Sequence, residues 1–206
     1  MTAASFPHPP LVNVLLPRVS WRRDVLLVVG ASLVMALLTH VKVPLPFTPV
    51  PITGQTLGAM LIGLVLGSRL GFLAILLYLI EGTLGLPVFA GASAAVPSGV
   101  GVLLGPTGGY LLAFPLAAAA MGLAVERFRA DQRIWTLALA MLVGNIIIYG
   151  LGLAWLGVWL SEQNKYAGFM ALLNAGLIPF IPGDLIKMGL CSGSLPFVRK
   201  AVAKVD

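Results

Sequence analysis

The chain has 206 residues, 59% of them hydrophobic and only 10% charged, with a mean hydropathy of +1.00. That balance excludes an ordinary soluble domain and indicates an integral helical membrane protein of about one domain's length. The net charge of +6 does not point to nucleic acid, because the basic residues stand at the ends of apolar stretches, where they set orientation in a membrane.

Taken in order, residues 1–20 carry Pro7, Pro9, Pro10 and Pro17, which forbid a continuous apolar helix. They read as a flexible cytoplasmic lead-in rather than a signal peptide, with residues 21–206 as one membrane domain. Segment one runs from about Asp24 to Val41. The connection Val43–Pro51 is too rich in proline to be helical. Segment two covers roughly Ile52 to Gly67 and segment three roughly Leu70 to Leu86, across the tight Gly67-Ser68-Arg69 turn. Both are short against the ~20 residues of a usual span. An uncharged, glycine-rich stretch follows, Pro87 to Gly105. Segment four spans about Thr107 to Val125, and the charged link Glu126–Arg133 leads to segment five, Ile134 to Leu160. After the polar link Ser161–Tyr166, an apolar stretch passes through Pro179 and Pro182 into segment six, which ends near Arg199.

The expected fold is therefore an all-α membrane protein of six transmembrane helices, with both termini on one side. Charge says which side. With the N-terminus inside, Arg18, Arg22, Arg23, Arg69, Arg127, Arg129, Arg133, Arg199, Lys200 and Lys204 are cytoplasmic, and only Lys42 and Lys165 lie outside. That is a strong positive-inside bias, with Lys187 left at membrane depth.

Lys187 has an acid for company. In Pro182-Gly183-Asp184-Leu185-Ile186-Lys187 the two ionisable side chains are three apart, so on a helix they share a face. Ionisable groups at membrane depth mark function by default; the alternative is a structural ion pair, with Asp184 also favoured by the helix dipole. A rise of ~1.5 Å per residue puts Asp184, Lys187 and Asn145 together in the outer half of the bilayer. Asn145 and Tyr149 share a face of segment five, where Asn145 serves either a ligand or a neighbouring helix. Thr53, Gln55 and Thr56, at the outer end of segment two, serve either a ligand or helix capping. Gly105-Pro106-Thr107-Gly108-Gly109-Tyr110 has neither the lysine nor the preceding strand of a phosphate loop, and no Walker motif occurs anywhere. Ser32 and Ala36 form a small-xxx-small pair, the mark of a helix-packing face. The lone Cys191 excludes an internal disulfide, and the two distant histidines argue against a metal site.

Five landmarks occur in order: Val50-Pro51-Ile52-Thr53-Gly54-Gln55-Thr56-Leu57-Gly58, Gly85-Leu86-Pro87-Val88-Phe89-Ala90-Gly91, Gly105 to Leu111, Gly144-Asn145, and Pro182 to Lys187. Over residues 45–200 they resemble the BioY family, the biotin-specific S-components of energy-coupling-factor (ECF) transporters. The resemblance implies a membrane subunit, not an enzyme, that captures biotin from outside at the prokaryotic plasma membrane. It implies no cofactor of its own; ATP is used by partner ATPases that act with a transmembrane coupling subunit. The loaded subunit is expected to topple in the membrane and release inward. The implied binding residues are Asp184, Lys187, Asn145, Tyr149, Thr53, Gln55, Phe89, Gly91, Thr107 and Tyr110, with Trp155 a further candidate for the apolar wall. Asp184 and Asn145 would serve the ureido ring, and Lys187 would neutralise either Asp184 or the carboxylate. Ser32 and Ala36 would form the docking face for the coupling subunit, or else pack within the bundle. The loop has Ala94-Ala95-Val96-Pro97 in place of glycines and no arginine to meet a carboxylate. The alternatives are an S-component for a different vitamin and an intramembrane enzyme using Asp184 or Lys187. Whether the subunit works alone, as a homo-oligomer or with a shared coupling module stays open.

Overall fold

The computed structural model describes residues 8–90 and 99–202. Its six helices of twelve residues or more match the six predicted segments: α2 (Trp21–Thr39), α3 (Gln55–Leu66), α4 (Ser68–Thr83), α6 (Gly108–Phe128), α7 (Ile134–Glu162) and α9 (Ile181–Val202). Three short helices join them, α1 (Leu11–Leu15), α5 (Val100–Leu103) and α8 (Phe169–Gly176). The runs Gly108–Phe128, Ile134–Glu162 and Phe169–Val202 are long and apolar enough to cross a membrane by length and composition.

Helix α6 is the axis of the molecule, packed on α3, α4 and α7. Its composition explains why. Ala113, Ala117, Ala118 and Gly122 are all buried, so neighbouring backbones approach closely. A Cβ on Gly63 would stand 2.1 Å from the Ala118 carbonyl oxygen, and one on Gly122 would stand 2.0 Å from the Ser68 nitrogen.

The same contact moves two predicted boundaries. Glu126, expected in a charged link, is buried on the last turns of α6 and caps α4. The Ser68 N–H donates to its Oε1 at 2.9 Å and the Ser68 hydroxyl to its Oε2 at 2.7 Å. Helix α4 therefore begins at Ser68, straight after Gly67 at φ +86°. The proline-rich connection is non-helical as expected, but its ends close into a two-stranded antiparallel ladder. Strand β1 (Lys42–Val43) pairs with β2 (Ile52–Thr53), with Lys42 opposite Thr53.

Two further expectations bear on the packing. Residues 9–15 are not a loose tail: the prolines bracket a short helix instead of interrupting a long one. Leu11 and Val12 of α1 are buried, and the Arg199 Nη2 donates to the Pro9 carbonyl at 2.9 Å. Of the two readings of Ser32 and Ala36, a docking face or packing within the bundle, the structure has the second. Both are buried, and the Ser32 hydroxyl donates to Glu81 Oε1 of α4 at 3.0 Å, so this stripe packs within the bundle.

At the other end of α9, Arg199 stands 3.4 Å from Asp131 on the turn Ala130–Gln132. Burial pushes the Asp131 carboxyl above its usual range, and the Arg199 charge opposes that rise.

The close α6–α4 packing has a direct test. Gly122→Val is expected to lower the melting temperature of the detergent-solubilised chain, at a cost of ~1–3 kcal/mol or more. Gly150→Val, where a Cβ meets nothing within 4 Å, serves as the control and should change stability by no more than ~0.5 kcal/mol. Equal melting of the two variants would contradict the contact.

Candidate functional site

Asp184 and Lys187 lie on the first turns of α9 and pair at 3.1 Å, with side-chain exposures of 6% and 18%. An ammonium carries three N–H donors. Here each has an acceptor: Asp184 Oδ1, the Thr53 carbonyl at 3.0 Å and the Thr56 hydroxyl at 2.8 Å. The second Asp184 oxygen accepts from the Tyr149 hydroxyl of α7. The Tyr149 ring is stacked on Phe180 at 6.3 Å and meets the Tyr110 ring edge-on at 6.3 Å. Tyr110 in turn donates its hydroxyl to the Gly176 carbonyl at 2.9 Å, which ties α6 to the end of α8.

These groups line one cavity, holding about 560 Å³ of empty space including its open mouth. It lies at the end of the bundle where the ladder and the start of α9 meet. Thr53, Gln55, Thr56, Thr107, Tyr110, Tyr149, Asp184 and Lys187 line it, with Val50, Pro51, Ile52, Ala90, Leu111, Phe114 and Phe180 as apolar wall. The result is a mostly apolar slot with one acid–amine pair at one side, suited to a small molecule with an apolar body and a few fixed polar groups.

Seven of the predicted site residues thus meet: Asp184, Lys187, Tyr149, Thr53, Gln55, Thr107 and Tyr110. Asn145 does not join them. It is buried one helical turn from Tyr149, its Nδ2 is 3.5 Å from Met188 Sδ, and its Oδ1 finds no hydrogen-bond partner among the described residues. Phe89 is core and not wall: its ring meets the buried Tyr78 ring edge-on at 5.5 Å, and the next residue, Ala90, lines the cavity. Trp155 is likewise held elsewhere, its Nε1 donating to the Gly105 carbonyl at 2.9 Å. Gly91 lies outside the described residues. Sequence reasoning missed Phe180 as wall, although its place in Pro179-Phe180-Ile181-Pro182, just before the charged pair, was a usable signal.

The family profile described as "BioY family" matches residues 12–204. The chain belongs to the BioY family. The match begins within α1 and so takes in the segment that the motif resemblance left out. "Biotin transporter BioY" of Rhodobacter capsulatus is 42% identical over 164 residues, covering 77% of this chain and 83% of that protein. "Probable biotin transporter BioY" of Pyrococcus horikoshii is 42% identical over 139 residues, covering 68% and 74%. Among solved structures, the fold matches the S-component for biotin from an ECF-type ABC transporter with a TM-score of 0.74. That match has 26% identity and covers 89% of this chain and 95% of the other.

Thr56→Val keeps the side-chain volume but removes one acceptor of the Lys187 ammonium. Leaving that donor unpaired is expected to cost ~1–3 kcal/mol, read as a lower melting temperature of the ligand-free chain. Thr56→Ser, which keeps the oxygen, should recover most of the loss. Unchanged melting of Thr56→Val would mean that the ammonium does not depend on this hydroxyl.

Proposed function

We propose that this BioY-family chain is the biotin-binding S-component of an ECF-type transporter and captures biotin from outside the cell at the cavity beside Asp184 and Lys187. The observation that carries the reading is the hydrogen-bonded acid–amine pair, with spare acceptor capacity on Asp184, at the edge of an aromatic slot. Biotin offers a ureido ring with two N–H donors, an apolar bicycle and a carboxylate tail. An ionised carboxylate has about four lone-pair sites. Asp184 accepts from Lys187 and Tyr149 and retains capacity for a ureido N–H. Tyr149, Tyr110, Phe114 and Phe180 would hold the bicycle.

In this reading α2, α3, α4, α6, α7 and α9 each cross the membrane, and both termini are cytoplasmic. The clustering of arginine at the ends of the helices opposite the cavity supports that orientation. Helix α3, at 12 residues, is ~18 Å long and too short to cross alone. Most of its residues are buried against protein, which is where a short helix with irregular flanks is tolerated at membrane depth. The protein would be a multi-pass component of a prokaryotic plasma membrane and no enzyme. With no Walker motif in the sequence, ATP hydrolysis falls to partner ATPases acting through a coupling subunit. That subunit would dock on a face other than the buried Ser32–Ala36 stripe.

Calorimetry on the purified chain tests the reading. Biotin should bind, and other vitamins should fail to compete; displacement by another vitamin would reassign the ligand. Asp184→Asn removes the charged acceptor offered to the ureido N–H groups, a loss of ~1.5–3 kcal/mol, so biotin affinity should fall by about tenfold or more. Wild-type affinity in a folded Asp184→Asn variant would end the assignment.

A further inference from the structure

We propose that Lys42 receives the carboxylate of the ligand at the rim of the cavity, beside Ala90. The inference rests on the biotin reading above and fills the contact that the sequence left without an arginine. It starts from a count of donors. Lys187 is the obvious cation for a carboxylate, but its three N–H groups are already held by Asp184, Thr53 and Thr56. Turning one toward a ligand acid would leave a buried or half-buried acceptor unpaired and bring a second carboxylate close to Asp184.

Lys42 is differently placed. It is exposed on β1, directly opposite Thr53 in the ladder, and Thr53 lines the cavity. Residues directly opposed in an antiparallel pair project to the same face, so the Lys42 side chain leaves the ladder on the side of Thr53. Its Nζ reaches the carbonyl of Ala90, which also lines the cavity, at 3.5 Å. That distance is at the weak limit of a hydrogen bond, and the other two Nζ donors bond no described residue. Among the described residues, a carboxylate arriving at the rim displaces only that weak contact. The remaining cation on this side of the chain, Lys165, sits in the link after α7, a segment that contributes no lining residue. The two lysines thus divide the ligand between them: Lys187 holds the acid that reads the polar ring, and Lys42 meets the acid tail. The arrangement selects an amphiphilic monocarboxylate whose charged end points out of the slot.

The test is a ligand–protein cycle by calorimetry on the full chain, with biotin and biotin methyl ester as probes. The ester keeps the ureido ring and the bicycle but has no charge. Wild type is expected to bind biotin about tenfold more tightly than the ester, as for a hydrogen bond to a charged group. Lys42→Met should weaken biotin about tenfold and leave the ester within about twofold, so that the preference disappears. Lys42→Arg should retain it. Equal weakening of both ligands by Lys42→Met would make Lys42 a structural residue, and a preference that survives the substitution would assign the carboxylate to another group; either result overturns the proposal while leaving the biotin reading intact. Failure of the wild type to bind biotin at all overturns both.

Discussion

The arrangement of this site depends on the bonding of one ammonium. A lysine at membrane depth is tolerated only where its charge and all three of its protons are met. Lys187 meets that demand with acceptors from two separate parts of the chain, its own helix through Asp184 and the β2–α3 corner through Thr53 and Thr56. An ion pair in an apolar setting gains little over its desolvation unless further hydrogen bonds complete it. The completion is what fastens the start of α9 to the start of α3. The side of the cavity that carries the charges is therefore built by the same bonds that hold two distant elements together.

A similar count fixes the far wall. The Tyr78 hydroxyl has one proton, and it lies 2.8 Å from the Val88 carbonyl, which can only accept. The Gln55 amide, 2.6 Å away on the same hydroxyl, must then present its nitrogen, and its carbonyl oxygen is the polar atom left for the cavity that Gln55 lines. Tyr78 itself is fully buried among α2, α3 and α4, with Thr39 of α2 at 3.2 Å. The close helix packing enabled by glycine and alanine on α6 thus has a consequence at the cavity end. It keeps the elements near enough for short polar side chains to reach across, where lipid offers no hydrophobic drive to bring them together.

Much of this was legible in the sequence because it is local. The i, i+3 spacing of Asp184 and Lys187, the proline-dense connection and the tight turn at Gly67 are properties of a few consecutive residues, and the structure has them where they were expected. What was left open or missed has the opposite character. Ser32 and Ala36 suit a docking stripe as well as a packed one until Glu81, 49 residues away, is known to cover Ser32. Glu126 looks like part of a solvated link until Ser68 is known to need a cap. Asn145 and Tyr149 share a helix face, and only the tilt and depth of α7 against α9 decide that Tyr149 meets Asp184 while Asn145 meets Met188. Phe89 and Ala90 are neighbours, and the contacts of Tyr78 with the Phe89 ring and the Val88 carbonyl hold Phe89 in the core while Ala90 lines the cavity. Each case concerns a partner distant in sequence, which no motif or period records.

Helix α9 shows why the polar contacts sit at the ends. Leu185, Ile186, Leu190, Phe197 and Val198 are exposed along its length, and its apolar middle gains nothing from leaving lipid for protein. Its position must come from elsewhere. At one end Lys187 reaches α3, and twelve residues on, ~18 Å along the axis, Arg199 bonds the Pro9 carbonyl and pairs with Asp131. Two polar anchor points set both the height and the rotation of a helix, since a slip of one residue would turn each side chain by about 100° away from its acceptor. The anchor at Lys187 also lines the cavity, and the one at Arg199 gathers α1, α9 and the α6–α7 turn. The chain thus holds this largely exposed helix by the two places where burying charge is most costly. That is a reason for the acid–amine pair to be present even when the cavity is empty.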